Sequence, residues 1–244
     1  MSALLEVRDL TRTFGALNAV AGLSFSVRAG ELVGLIGPNG AGKSTLYNVI
    51  AGAIAPTSGE VVFKDRPVAG WKPYQAARAG VARTFQIPKP YRHLSVVENV
   101  ALSALLHDRT VAGARESAQM VLAEVGLADY LDAPVGTLTV GLLKRLEVAR
   151  ALALRPSLVL FDEIMAGLTP SEVKGMTHLV AGLPARGITV IWVEHVLYAI
   201  MQAAPRIMVL HRGELIADGP PETLARDPAV IKAYLGEETS LAER

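Results

Sequence analysis

Eight residues at positions 37–44, GPNGAGKS, state a ligand, a geometry and a chemistry together. They match G-x-x-x-x-G-K-[ST], a loop whose backbone encloses phosphate. Gly37, Gly40 and Gly42 can take backbone angles closed to other residues, so successive N–H groups turn inward around an anion, with Pro38, Asn39 and Ala41 completing the turn. The apolar run at 31–36 reads as a buried strand leading in. The run at 45–51 reads as a helix leading out, whose N-terminus adds unpaired N–H donors and a positive dipole end. Lys43 is then placed to reach terminal phosphates, Ser44 to ligate Mg²⁺ and Thr45 to extend the cradle. A nucleoside triphosphate is the ligand this pattern predicts.

A second cluster supplies what phosphoryl transfer needs besides a cradle. LVLF at 158–161 reads as a buried strand that delivers Asp162 and Glu163 at its carboxyl end. One carboxylate can hold Mg²⁺ through water and the other can orient and polarise the attacking water. By order, Asp162 takes the metal role and Glu163 the base role. His195 ends another apolar strand, TVIWV at 189–193, after Glu194. Ligands of open α/β sheets collect at such carboxyl ends, so His195 reads as a γ-phosphate sensor. Gln86, in RTFQ, carries a neutral amide that can ligate Mg²⁺ or its water and pivot when the ligand changes. Phe14 is either an adenine-stacking ring or part of the core. His93, His107, His178 and His211 lack such context and read as surface or packing residues.

The elements that must position these groups follow from hydrophobic periodicity. Leu5, Val7 and Leu10, then Leu23, Phe25 and Val27, alternate like strands, and 60–63 is a short strand after the turn at 56–59. From about 87 to 156 the pattern is helical. Ser95 and Glu98 fit a capping box, 114–125 is apolar at helical spacing, and Leu142, Leu146, Ala149 and Ala153 share one helix face. Lys144, Arg145 and Glu147 lie among them. Strands return at 157–161, 188–193 and 206–210 with a helix between each pair, which implies a parallel sheet. The expected fold is therefore α/β within a single domain spanning 1–244. It has a core with a parallel sheet and a small N-terminal antiparallel β subdomain (1–86 and 157–236), an inserted α-helical subdomain (87–156) and a polar tail (237–244).

Bulk properties bound the setting. At 244 residues and 51% hydrophobic the chain can bury a substantial core, yet no apolar stretch approaches the roughly 18 residues of a membrane span. There is no basic region followed by an apolar core at the N-terminus. Without Cys there is no disulfide or thiolate metal site, which fits a reducing cytosol. Lys and Arg total 24 against 23 acids, a net charge of +1, so no electrostatic case exists for a nucleic-acid partner.

With its motifs in order, the chain resembles the nucleotide-binding subunit of an ATP-binding cassette transporter over nearly its whole length. The likeness runs through Phe14, GPNGAGKST at 37–45, ARTFQ at 82–86, LTVGLLKRLEVARAL at 138–152, LVLFDE at 158–163, AGLTP at 166–170 and VEH at 193–195. It implies a P-loop NTPase core and a Mg²⁺-dependent ATPase at the cytoplasmic face of the inner membrane, peripheral rather than embedded. It also implies head-to-tail pairing with a second cassette, identical or different, so that Thr139, Val140, Gly141 and Leu142 face the partner's nucleotide. Integral membrane permease subunits and a solute-binding protein complete the implied system, with 87–99 as the docking segment. Within the family the chain is most similar to ATPases of branched-chain amino-acid importers. Those of urea or amide importers and of lipopolysaccharide export stay open, as does a soluble cassette ATPase, whereas the retained Lys43, Ser44, Gln86, Asp162, Glu163 and His195 argue against a non-hydrolysing interaction protein. The chain departs from the family pattern at Leu142, where an amide is usual, at Ile164, where Pro is usual, and at Thr169, where Asp or Asn is usual.

Overall fold

The computed structural model describes residues 3–68 and 70–234; the polar tail at 237–244 lies outside the described residues. The chain opens with a long antiparallel pair, β1 (Ala3–Phe14) and β2 (Leu17–Arg28), turning at Gly15. β4 (Ser58–Phe63) adds to the other edge of β1 and turns through Lys64 and Asp65, both at positive φ, into the two-residue β5 (Arg66–Pro67). This four-stranded sheet, ordered β2-β1-β4-β5, buries Leu5, Val7, Leu10, Leu23 and Val27 on one face. The alternation that predicted strands is the alternation of that face with solvent.

The second sheet has the order β10-β9-β3-β8-β7-β6. Its central strands are β3 (Leu32–Ile36), β8 (Thr189–Val193) and β7 (Leu158–Asp162), and all fifteen of their residues are buried. Continuous apolar runs are what a parallel sheet covered on both faces requires. Leu32 and Ile36, with Val159, Phe161, Val190 and Trp192, face one set of helices. Val33, Leu35, Leu158, Leu160, Ile191 and Val193 face the N-terminal sheet and α1 (Lys43–Ile50). At Gly34 a Cβ would lie 2.5 Å from the Ile200 side chain, so α7 (Leu197–Ala203) packs directly on the backbone of β3.

Four elements, α2 (Pro73–Ala79), β6 (Val81–Arg83), β10 (Glu214–Gly219) and α8 (Pro221–Leu224), were not apparent from periodicity. α2 leads into β6, a three-residue strand parallel to β7. At the other edge β9 (Arg206–His211) turns into β10, an antiparallel pair on an otherwise parallel sheet, followed by α8.

Between β6 and β7 the chain runs through α3 (Val96–Ala104), α4 (Val111–Glu124) and α5 (Val140–Leu152), which pack on one another. The capping box forms as its spacing predicts: Glu98 N–H donates to Ser95 Oγ and Ser95 N–H to Glu98 Oε2 at 2.7 Å. α6 (Pro170–Gly182) connects β7 to β8 and carries its own capping box, Thr169 with Glu172. Lys144 and Glu147 sit between apolar positions, as polar faces do, yet they are 3% and 4% exposed.

Candidate active site

Parallel pairing of β3, β8, β7 and β6 brings four carboxyl ends to one edge of the sheet. The phosphate loop leaves β3, His195 follows β8, the acidic pair ends β7, and Thr84 to Gln86 follow β6. A single edge thus carries every residue that the sequence assigned to phosphate chemistry in this chain.

The phosphate loop is held by its neighbours rather than by its own side chains. Gly42 has φ 105°, and a Cβ there would lie 2.3 Å from the Ala19 carbonyl oxygen. A Cβ at Gly37 would lie 2.2 Å from the Leu210 carbonyl oxygen. Only glycine fits either place. Gly213 N–H donates to Ala41 O at 3.0 Å, and Ala21 N–H to Gly213 O at 2.9 Å, tying the loop to the β9–β10 turn and to β2. Gly42 caps α1 with no side-chain acceptor, so the first N–H groups of that helix face the cleft. Lys43 is buried and donates to the Gly37 and Pro38 carbonyls, the latter at 2.8 Å. Tyr47, fully buried, donates its hydroxyl to Ile191 O at 2.7 Å and pins α1 across β7 and β8.

A cleft of about 290 Å³ opens along this loop, lined by residues 39–45 and also by Phe14, Leu17, Ala19 and Glu163. Phe14 is 46% exposed, with the Arg12 guanidinium 4.6 Å from its ring centre, so it is a wall of the cleft and not core. Glu163 faces the cleft from the end of β7. Its φ of 50° is a conformation that a residue with a Cβ rarely holds, and its surroundings enforce it. Glu163 N–H donates to Val193 O at 3.0 Å, and its own carbonyl accepts from Lys144 Nζ at 2.9 Å. One carboxylate oxygen accepts from the Gln86 amide, and the other lies 2.8 Å from His195 Nε2.

Asp162 is 5% exposed, and its Oδ2 accepts from Arg83 Nη2 at 3.0 Å. Arg83 also donates to Asn48 of α1, so it links the candidate metal acid to the phosphate-loop helix. Among the described residues no group of three or more His, Asp or Glu side chains could cage a metal. A hydroxyl, an amide and one carboxylate, from Ser44, Gln86 and Asp162, suit Mg²⁺, which keeps waters and takes oxygens from bound phosphate.

Sequence reading missed Lys144, Glu194 and Arg83. Burial lowers the Lys144 ammonium below the usual lysine range, opposed by the carboxylates of Glu194, Glu163, Glu147 and Asp162. Burial raises Glu194 to about 7, although its Oε1 accepts from Met165 N–H at 2.8 Å. The available signal was position: Glu194 directly follows a buried strand. The residues 139–142 lie at the start of α5, away from this cleft. Thr139 caps α5 by accepting from Leu142 N–H, and Val140 is 53% exposed. Gly141 passes so close to Glu172 that a Cβ would lie 2.1 Å from its Oε1. Leu142 packs against the core. Ile164, in place of the expected Pro, is wholly buried.

The comparisons with known proteins bear on these features. The model of the family described as ABC transporter matches residues 20–166, and that described as branched-chain amino acid ATP-binding cassette transporter matches 214–239. The chain is 37% identical to the high-affinity branched-chain amino acid transport ATP-binding protein BraF of Pseudomonas aeruginosa, over 96% of this chain and 98% of that protein. It is 36% identical to LivG of Escherichia coli strain K12, with the same coverage. It is 32% identical to the lipopolysaccharide export system ATP-binding protein LptB of Acidithiobacillus ferridurans, over 98% and 99%. Among solved structures, the ADP conformation of an ATP-binding cassette superposes with a TM-score of 0.87 at 30% identity, covering 97% of this chain and all of that one.

Proposed function

The chain belongs to the ABC transporter family of ATP-binding cassettes, and from that membership we propose that it drives a branched-chain amino-acid importer. It is an ATP-hydrolysing cassette that works with membrane permease subunits and as one of a pair of cassettes. The match at 214–239 and the 37% identity to BraF favour import of branched-chain amino acids over lipopolysaccharide export. A solute-binding protein would then deliver the solute, and this chain would sit peripherally on the cytoplasmic face of the inner membrane.

In this reading residues 37–45 hold the phosphates of ATP and Phe14 stacks on its adenine. Lys43 leaves the loop carbonyls to meet the β- and γ-phosphates. Ser44, Gln86 and Asp162 would hold Mg²⁺, which would screen the phosphate charge. Glu163 accepts the proton of the attacking water, with His195 and Gln86 fixing both of its oxygens. That doubly held carboxylate at the lip of the phosphate-loop cleft is the observation that carries the reading. The core (1–86 and 157–236) provides one wall of one ATP site, and the helical subdomain (87–156) provides Thr139 to Leu142 to the ATP held by the other cassette.

The test is reconstitution. The chain, expressed with its neighbouring permease genes, should co-purify with them from detergent-solubilised membranes. In vesicles the complex should take up labelled leucine, isoleucine or valine only with ATP. Lys43→Ala should lower ATPase activity about 10²–10³-fold, as expected when a fixed charge beside the developing phosphate charge is lost. Full transport by Lys43→Ala, or ATPase activity without transport of any of the three, would refute the reading.

A further inference from the structure

One face of α5 carries three charged residues, Lys144, Glu147 and Arg150, spaced so that all point the same way. All three grip backbone rather than solvent. Lys144 Nζ donates to the carbonyls of Gln86 and Glu163. Glu147 Oε1 accepts from Lys89 N–H at 2.8 Å, and Arg150 Nη1 donates to Lys89 O at the same distance. Arg150 also donates to Glu147 at 2.7 Å, and its guanidinium lies 5.1 Å from the centre of the Tyr91 ring.

Burying an ammonium and a carboxylate in a helix that could have closed with apolar residues is costly unless each is paired. Here the pairing has a specific object. Glu163 holds a left-handed backbone, and Lys144 fixes its carbonyl as Val193 fixes its N–H. The same ammonium fixes the carbonyl of Gln86, whose side chain holds the Glu163 carboxylate. The segment from Gln86 to Tyr91 therefore cannot shift against β7 without carrying α5 with it or releasing Lys144.

We propose that Lys144 is a positioning residue for Glu163, and that Glu147 and Arg150 make this positioning depend on where the 86–91 segment lies. A permease seated on Ile87 and Tyr91, 73% and 52% exposed, would set the catalytic carboxylate through α5. The proposal rests on the ATPase reading above. Wild-type complex without ATPase activity would overturn that reading, whereas the outcomes below require an active wild type.

The experiment measures ATP hydrolysis and ATP binding by the assembled complex bearing Lys144→Met, Lys144→Arg or Arg150→Met. Lys144→Met should lower kcat at least tenfold while KM for ATP stays within threefold, because the phosphate loop is untouched. Lys144→Arg retains donors for both carbonyls and should recover at least half of the wild-type kcat. A folded Lys144→Met complex with kcat within twofold of wild type would overturn the proposal, as would equal loss in Lys144→Arg. Arg150 touches neither Glu163 nor Gln86, and Arg150→Met tests the link even where Lys144→Met fails to fold. It should lower kcat at least threefold at unchanged KM, and a kcat within 1.5-fold of wild type would overturn the proposed link.

Discussion

His195 Nε2 lies 2.8 Å from Glu163 Oε1, while the Gln86 amide holds the other oxygen of the same carboxylate. Three strands, β6, β7 and β8, thus meet at one functional group. A carboxylate fixed at both oxygens loses the freedom to rotate away from a water. Glu163→Gln keeps the shape and removes the basic oxygen, so ATP should bind with Mg²⁺ and be hydrolysed about 10²–10⁴-fold more slowly. The variant should accumulate as a closed, ATP-loaded pair of cassettes. Gel filtration with ATP and the partner cassette should show the larger species. An unchanged elution volume, or wild-type turnover, would remove Glu163 from the base role.

Much of this site was legible in the sequence because its signals are local. GPNGAGKS, the acids after LVLF and the His after TVIWV each declare themselves within ten residues, and Ser95 with Glu98 needs only four. Lys144 and Glu147 were not legible for the opposite reason. A lysine and a glutamate three apart on a helix read as a solvated pair. Only contacts 19 and 58 residues away, to Glu163 and Lys89, turn them inward. Arg83 is similar: its partners Asp162 and Asn48 lie 79 and 35 residues away. β6, with three residues, is too short to show a period. Within the 87–99 segment, expected to dock a membrane subunit, Val96 is fully buried whereas Ile87 and Tyr91 face outward.

Glu194 gives stability a pH dependence whose sign can be worked out. Burial raises its folded pKa from 4.5 to about 7, so between these values the folded chain holds a proton that the unfolded chain has lost. Stability from this group is complete below pH 4.5, declines as pH rises toward about 7 and is flat above. At about 1.4 kcal/mol per unit the full effect is on the order of 3 kcal/mol. Glu194→Gln removes the titration and still accepts from Met165 N–H. Urea unfolding from pH 5 to 8 should show wild type losing stability relative to the variant across that window. A difference that stays constant with pH would show that Glu194 ionises normally in the folded protein.

Tyr91 is half exposed beside Arg150, and Asn99 accepts from its N–H at 2.8 Å, so its backbone is fixed while its ring is free to meet a partner. A charge there costs little in the free chain but opposes an apolar contact. Tyr91→Asp should leave the chain soluble, with a melting temperature within a few degrees of wild type. It should nevertheless fail to co-purify with the permeases or to support uptake. Loss of folding would instead assign Tyr91 to packing of the helical subdomain.

The start of α5 predicts that two ATP sites in one complex need not be equal. Thr139 Oγ accepts from the Leu142 N–H and keeps its own O–H as a donor, Leu142 packs inward, and Glu172 stands against Gly141. What remains to meet the partner's ATP is the helix N-terminus, the Thr139 O–H and the Gly141 backbone. A hydrogen bond to a charged phosphate is worth roughly 1.5–3 kcal/mol, and Leu142 cannot supply the one that an amide at its position would. With a different cassette as partner, one that keeps that amide, the site built on Lys43 and Glu163 of this chain should turn over faster. Glu163→Gln should then cost the assembled complex more ATPase activity than the equivalent substitution in the partner. Leu142→Gln should raise turnover at the partner's site, because the new amide can reach the phosphate once the leucine no longer holds that turn to the core. Equal losses from the two glutamine variants, or no response to Leu142→Gln, would mean that backbone and helix dipole alone suffice and that the sites are equivalent.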